Sequence, residues 1–230
     1  EDAPDWQIET VAYAAAYAGE QVRARVFIPK NVSPPLQAVI YVTGAGQFAV
    51  RRSTNETHLP FFAHVVRSGR LVIFPIPKGA FERGSTQFLP ETSKNGILWR
   101  DYSVAWHKDL ARTIDYLHTR SDVAHDRIGY LGQSRGAAIA PITLALEDRI
   151  KAAVLMIPGQ YLAQPAPEVD VFNFAPRVRQ PILMLSGRYD FIFPEKRSQL
   201  PFFDRLGTPV SQKRRVAFVS GHNIPPNEMI

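Results

Sequence analysis

The serine at position 134 stands in a glycine pattern that suits a nucleophile. The segment 127–138 reads RIGYLGQSRGAA, so Gly132, Ser134 and Gly136 form G-x-S-x-G after an apolar run and before a helix-forming segment. Glycines let a strand and a helix approach closely at a sharp turn, which leaves the serine hydroxyl exposed at the apex. The alternative is a glycine-rich turn whose serine only caps the helix. We predict that Ser134 is a nucleophile on a nucleophile elbow.

A serine hydroxyl is a weak nucleophile, so this pattern requires a base and an acid elsewhere in the chain. Histidine is the common base, and it needs a carboxylate that holds its tautomer and stabilises its charged form. His222 follows the apolar run 216–219. Asp190 follows another apolar run, at 182–185. We predict a triad in the chain order Ser134, Asp190, His222, an order found in enzymes that have a nucleophile elbow.

Other side chains compete for the roles of acid and base. Asp190 precedes a proline, where an aspartate that caps a turn is the structural alternative. Glu168 and Asp170 are then the alternative acids. The remaining histidines fall in or beside segments expected to pack as helices or to lead into a strand: His58, His64, His107, His118 and His125. These positions leave His222 as the preferred base.

A second glycine-rich segment, 44–49, reads GAGQFA after the apolar run 38–42. It matches G-x-G-x-x-A, which can mark a dinucleotide site, but the next apolar run ends without an acidic residue to bind a ribose. The loop after the third strand can instead supply one backbone donor of an oxyanion hole, with the residue after the nucleophile supplying the other. We predict donors at Arg135 and at either Ala45 or Gly46; the sequence leaves that choice open.

Alternating strand and helix patterns have to position these residues. The segments 6–17 and 21–28 predict an opening β-hairpin. Six apolar runs follow, as expected for strands buried on both faces: 38–42, 71–74, 128–131, 152–157, 182–185 and 216–219. Helices are expected between them at 59–68, 101–120, 135–147 and 194–206. We predict an α/β fold with a mostly parallel central sheet of about eight strands, helices on both faces and a site at the carboxyl ends of the strands.

The segment 101–120 is the clearest of the predicted helices. Its apolar residues recur at helical spacing and are expected to face the core: Val104, Leu110, Ile114 and Leu117. Its charged residues fall mainly on the other faces: Lys108, Asp109, Arg112 and Asp115. We therefore expect the charged set to lie on the solvent side of the helix.

Length and composition predict one globular domain over 1–230, with a short loop insertion at about 158–181. The chain has 27 Lys and Arg against 21 Asp and Glu, but these charges are scattered and accompany no nucleic-acid-binding motif, so we expect no nucleic-acid partner. Cysteine is absent, which excludes disulfides, thiolate nucleophiles and cysteine-ligated metals. No apolar run is long enough for a membrane span.

The first residue is Glu1 rather than Met, so we expect that a signal peptide or a larger N-terminal region could have been removed. The compartment is left unassigned for this reason. The oligomeric state is also left open.

Nearly the whole chain resembles the α/β-hydrolase superfamily, in the group of dienelactone-hydrolase-like and acetyl-xylan-esterase-like enzymes. It is also similar to hydrolase domains fused to some bacterial serine/threonine protein kinases, in the stretches 68–83, 105–117, 174–178 and 187–194. The resemblance implies an α/β-hydrolase fold and a serine esterase that needs no metal or organic cofactor. Two features depart from these relatives: dienelactone hydrolases use a cysteine nucleophile, and Thr43 stands where His or Pro often precedes the oxyanion glycine.

The leading hypothesis is hydrolysis of small-molecule carboxylic esters through an acyl-enzyme. The alternatives are a peptidase of the prolyl-oligopeptidase-like type and a non-catalytic module of a signalling protein. We expect an open pocket whose candidate aromatic lining is Phe48, Trp99, Tyr161 and Phe191. Four cations would favour acidic or sugar-linked esters if they faced this pocket, and are otherwise solvated loop charges: Lys78, Arg83, Arg100 and Arg135.

Overall fold

A central sheet organises the chain. The computed structural model describes residues 3–30, 32–54, 56–84, 96–163, 165–225 and 228. The strands in these ranges are β1 (Trp6–Ala14), β2 (Gln21–Pro29), β3 (Leu36–Val42), β4 (Leu71–Ile76), β5 (Val123–Gln133), β6 (Ile150–Met156), β7 (Ile182–Gly187) and β8 (Lys213–Phe218). They form one sheet in the order β1-β2-β4-β3-β5-β6-β7-β8.

The sheet is antiparallel only at its β1 edge. β2 pairs antiparallel with β1 and with β4. Each later pair, from β3 with β4 to β7 with β8, is parallel. The predicted α/β fold with a mostly parallel sheet of about eight strands is confirmed.

The helices found in the described ranges are α1 (Ala63–Arg67), α2 (Ile97–His118), α3 (Arg135–Ala138), α4 (Ala140–Leu146), α5 (Val171–Phe174) and α6 (Leu200–Arg205). α1 packs on one face of the sheet, while α2, α4 and α6 contribute to a second core on the other face. The prediction of helices on both faces is also confirmed.

Strand β4 is apolar throughout because it is buried on both faces of the sheet. Leu71 and Ile73 belong to the core under α2, α4 and α6. Val72 and Phe74 belong to the core under α1. Successive side chains of a strand point to opposite faces, so a strand covered on both faces needs an apolar residue at every position.

The predicted helix 135–147 is divided into α3 and α4 at Ile139. Pro141 lies in the first turn of α4 and has no N–H to donate to a carbonyl of the preceding turn. The predicted helix 59–68 is likewise divided, into a 3-10 turn that ends at Phe61 and contains Pro60, followed by α1. The predicted helix 194–206 is helical over nearly its whole length, as a π-helical turn (Glu195–Gln199) that continues directly into α6. The periodic pattern therefore located these helices but did not predict the irregular turns within them.

The prediction for helix α2 was right for most of its core face and wrong at two positions. Leu110, Ile114 and Leu117 are buried as expected. Val104, however, is 41% exposed, whereas Asp109 is only 2% exposed. The helix thus turns a carboxylate inward where an outward position was expected.

Asp109 is buried because it joins a network of charges with the opening hairpin. Its Oδ1 accepts a hydrogen bond from the Tyr17 hydroxyl at 2.5 Å, and its Oδ2 accepts one from Arg83 Nη1 at 2.6 Å. Arg83 and Lys78 both form ion pairs with Glu20. Burial raises the pKa of Asp109, and the Arg83 charge opposes this shift. Lys78 and Arg83 are therefore engaged in this network, not in solvated loop contacts.

The segment 158–181, expected to be a loop insertion, contains α5 and two 3-10 turns, Pro167–Val169 and Ala175–Arg177. Val169 and Val171 pack with Trp99 and Trp106 of α2 in a third apolar cluster. The insertion therefore packs against α2.

Candidate active site

The nucleophile elbow lies directly after β5. Ser134 has φ +49° and ψ −112°, a conformation that L-residues rarely adopt and that typically costs about 1–3 kcal/mol. A Cβ at Gly132 would lie 2.9 Å from backbone atoms of Ala137. A Cβ at Gly136 would overlap the carbonyl oxygen of Val42. Both glycines are required because strand and helix approach too closely for a side chain.

The three predicted catalytic side chains form one continuous chain of hydrogen bonds. Ser134 Oγ lies 2.8 Å from His222 Nε2, and His222 Nδ1 lies 2.7 Å from Asp190 Oδ2. A carboxylate only accepts hydrogen bonds, so Nδ1 carries the proton and Nε2 is left to accept from the serine hydroxyl. This is the protonation state that a general base requires.

The backbone of its own loop holds the acid in place. Asp190 Oδ1 accepts hydrogen bonds from the N–H groups of Ile192 and Phe193, each at 2.9 Å. The residue is 3% exposed. One carboxylate oxygen is therefore committed to the loop, and the other is free to orient His222.

Two further residues support this loop, and the sequence analysis missed both. Gln199 Nε2 donates to the carbonyl oxygens of Gly187 and Phe193, each at 2.8 Å. The Phe193 ring packs beside the imidazole of His222 with a centroid separation of 5.7 Å. Only their burial distinguishes them, since a glutamine within a helical segment carries no local signal of such a role.

The alternative acids lie in other contacts. Asp170 caps α5 by accepting from the Phe172 N–H at 3.0 Å. Glu168 has a side chain that is 58% exposed and lies 4.0 Å from Arg100. Neither forms a hydrogen bond with His222 in the described part of the chain.

The predicted oxyanion loop lies against the nucleophile. A Cβ added to Gly44 would lie 3.2 Å from Ser134 Cβ, so this glycine allows close approach. Ala45 begins a 3-10 turn, Ala45–Phe48, and Arg135 begins α3. The first N–H groups of a helix have no acceptor within it and are available to a ligand. Two such N–H groups, those of Ala45 and Arg135, therefore lie beside Ser134.

The same segment does not have the form of a dinucleotide site. A Rossmann fingerprint opens a crossover helix, whereas the segment after β3 forms a single short 3-10 turn. Thr43, the position that departs from the resembling enzymes, hydrogen-bonds through Oγ1 to His58 Nδ1 at 3.1 Å. It thus links the base of the loop to the segment before α1.

The Arg135 side chain is buried, contrary to its interpretation as a solvated loop charge. Its guanidinium lies over the rings of Phe48 and Trp106, at 4.8 and 4.2 Å from their centroids. With the amide of Gln47 turned to satisfy both groups, the Gln47 oxygen accepts from Nη2 and Nε of Arg135. Burial lowers the pKa of Arg135 to about 10, so the group stays charged at neutral pH.

The candidate pocket residues do not all lie together. Trp99 and Tyr161 stack edge to face at 5.7 Å and line a cavity of about 190 Å³. Phe48 packs on Trp106 beside Arg135 instead. Phe191 is 80% exposed beside the buried Asp190. Tyr161 also contacts Phe193, so the cavity connects through aromatic rings to His222.

The described ranges contain no helix long and apolar enough to cross a membrane. They also contain no group of three or more His, Cys, Asp or Glu side chains placed to hold a metal ion.

Residues 22–201 match the dienelactone hydrolase family. The chain belongs to this family. A shorter stretch of 46 residues, 20% of the chain, is 50% identical to the YtaP protein of Bacillus subtilis (strain 168). That stretch spans only 15% of the length of YtaP.

Solved structures with the same fold include esterases and a peptidase-type protein. A cold-adapted esterase from an Arctic intertidal metagenomic library has a TM-score of 0.78 at 21% identity, covering 100% of this chain and 92% of its own. Acetyl xylan esterase from Paenibacillus sp. R4 has a TM-score of 0.72 at 18% identity, covering 99% and 83%. A dipeptidyl aminopeptidase IV-type protein of Bacteroides ovatus ATCC 8483 has a TM-score of 0.76 at 17% identity, covering 96% and 33%.

The family match confirms the resemblance to dienelactone hydrolases and the predicted enzyme class of carboxylic ester hydrolase. The neighbours, which include an acetyl xylan esterase, share the predicted α/β-hydrolase fold. At these identities, likeness to the individual structures shows the fold alone. The catalytic residues and the substrate have to be argued from the geometry of the site.

Proposed function

We propose that Ser134, His222 and Asp190 form a catalytic triad that hydrolyses carboxylic esters of small molecules through an acyl-enzyme intermediate. The continuous hydrogen-bonded chain from Ser134 Oγ through the imidazole to Asp190 carries this proposal. Each member of the triad leaves the sheet at the carboxyl end of a strand, after β5, β7 or β8. That edge is where open α/β sheets bind their ligands.

In the first half-reaction, Ser134 Oγ attacks the ester carbonyl carbon while His222 Nε2 takes the hydroxyl proton. Asp190 keeps the imidazole in the required tautomer and stabilises the positive charge that develops on it. When the tetrahedral intermediate collapses, His222 returns the proton to the leaving alcohol and the acyl group stays on Ser134. The second half-reaction repeats these steps with water as the nucleophile and releases the acid.

The oxyanion hole is proposed at the backbone N–H groups of Arg135 and Ala45. Both groups begin helical turns and lack an acceptor within them. Ala45 is preferred over Gly46 because it directly follows Gly44, whose Cα lies against Ser134. One donor of this kind typically contributes about 100-fold to 1,000-fold to kcat.

The cavity lined by Trp99 and Tyr161 is proposed to receive the apolar part of the ester. Its volume of about 190 Å³ and its aromatic walls suit a small acyl or alcohol group. The neighbouring cations do not argue for an acidic substrate, since Arg135 is buried and Arg100 pairs with Asp101 at 2.8 Å.

The proposal is tested with p-nitrophenyl acetate, a peptide anilide and a fluorophosphonate probe. Ser134→Ala should abolish ester turnover and labelling, whereas Ser68→Ala, at an exposed serine after α1, should change neither. Anilide cleavage that exceeds ester cleavage would favour the peptidase alternative. Normal turnover in Ser134→Ala would contradict the proposed nucleophile, and a wild type that neither turns over nor labels would favour the non-catalytic alternative.

A further inference from the structure

We propose that the side chain of Arg135 is a positioning residue that holds the oxyanion loop, residues 44–49, against the nucleophile elbow. The inference rests on the proposed function, because it assigns a role to this side chain in forming the same oxyanion hole. Arg135 directly follows Ser134, and its backbone and side chain reach two different parts of the site.

Arg135 is connected to both proposed oxyanion donors. The backbone N–H of Arg135 begins α3, immediately after Ser134. Its guanidinium contacts two consecutive residues of the oxyanion loop, the amide oxygen of Gln47 and the ring of Phe48. These contacts lie two and three residues after Ala45, so a displacement of the guanidinium would be transmitted to the proposed Ala45 donor. One residue thus links both proposed donors.

The positive charge of Arg135 is buried among neutral side chains. Arg135 is 3% exposed, and within the described ranges its electrostatic partners include no carboxylate. Its compensation comes from the faces of Phe48 and Trp106 and from the Gln47 oxygen. Burying a cation in this way is costly, and an apolar residue would fill the space at lower cost. A planar group that stacks and donates at once explains why an arginine suits this position.

The guanidinium of Arg135 also lines a small cavity beside α2. Arg135 Nη1, Ser103 Oγ and His107 Nδ1 are all buried without a hydrogen-bond partner in the described part of the chain. All three residues line one cavity of about 30 Å³, which has room for a water molecule. The guanidinium therefore lies beside two polar side chains of α2. Ser103 and His107 are one helical turn apart, so they share a face.

Because the side chain acts through the loop, its loss should weaken transition-state binding more than substrate binding. Arg135→Met keeps an unbranched apolar stem but removes the planar charge and its donors. We expect kcat for p-nitrophenyl acetate to fall about 10-fold to 100-fold, less than the loss of a whole donor, with KM changed less than about threefold. Arg135→Lys should remain impaired, because an ammonium cannot stack and donate in the same geometry.

A double-mutant cycle with Ala45→Pro separates positioning from a general structural role. Proline removes the Ala45 N–H, so a side chain that works through this donor has little left to position. Arg135→Met should then reduce kcat less than threefold in the Ala45→Pro background. Gln47→Leu, which removes the amide contact from the loop side, should reproduce part of the Arg135→Met effect and be equally silent in that background.

The controls are thermal melting of every variant and Arg23→Met, an exposed arginine on β2, which should leave kcat unchanged. The inference is overturned if a folded Arg135→Met variant keeps wild-type kcat. It is also overturned if the fold-losses in kcat of Arg135→Met and Ala45→Pro multiply fully in the double variant. If Arg135→Met does not fold, the same two criteria are applied to Gln47→Leu. Failure of the proposed function is distinct, since it appears as an inactive wild type or an active Ser134→Ala.

Discussion

Replacing Asp190 by asparagine tests the triad most directly, because the structure determines which way the new amide must turn. Asp190 Oδ1 accepts two backbone N–H groups, from Ile192 and Phe193. The asparagine oxygen has to take this position, since an NH₂ group there would face two donors. Each unmade bond at such a buried site costs about 1–3 kcal/mol.

The amide NH₂ of Asp190→Asn then faces His222 Nδ1 and donates to it. His222 is forced into the tautomer with its proton on Nε2, which points at Ser134 Oγ and cannot accept the hydroxyl proton. Recovering the correct tautomer requires turning the amide, at about 2–6 kcal/mol for the two lost bonds. This corresponds to a fall in kcat of about 30-fold to about 10⁴-fold, the upper end being the loss seen when a triad histidine is held in the wrong tautomer.

The assay is steady-state hydrolysis of p-nitrophenyl acetate, with thermal melting to show that the variant is folded. Asp170→Asn is the matched control, because it makes the same substitution at a residue that caps α5. We expect Asp170→Asn to keep kcat within about twofold. An Asp190→Asn variant that keeps more than a tenth of wild-type kcat, or a crippled Asp170→Asn, would refute the assignment of the acid.

Three other outcomes are expected. Ala45→Pro should lower kcat about 100-fold to 1,000-fold with a smaller change in KM, and full activity in a folded variant would exclude this donor. Gly136→Ala should lower the melting temperature, because the added methyl overlaps the Val42 carbonyl and overpacking costs about 1–3 kcal/mol; an unchanged melting curve would argue against the close packing. Asp109→Asn should destabilise the fold by about 1–3 kcal/mol in denaturant melts, because Arg83 loses the charge of its buried partner and keeps only the ion pair with Glu20, while kcat per folded molecule stays near wild type. A melt equal to that of wild type would mean that this ion pair contributes no net stability.

Features that depend on neighbouring residues could be predicted from the amino-acid sequence. The elbow is encoded in five consecutive positions, because a tight turn between a strand and a helix tolerates only glycine two residues before and two residues after Ser134. The strands were readable because burial on both faces requires continuous apolar runs. His222 and Asp190 reach Ser134 because the carboxyl ends of the parallel strands β5, β7 and β8 lie at one edge of the sheet.

Roles that depend on residues far apart in the chain could not be predicted from the amino-acid sequence. Asp109 looks like a surface carboxylate along its own helix, and its burial follows from Tyr17 and Arg83, which lie 92 and 26 residues away in sequence. The sequence alone indicates a solvated loop charge at Arg135, whereas in the structure its guanidinium lies over the ring of Trp106. Local patterns describe which conformation a segment prefers, whereas pairing between segments depends on which faces meet when the sheet and its helices pack. The backbone of this site was therefore predictable from local chemistry, and the side chains that support it were not.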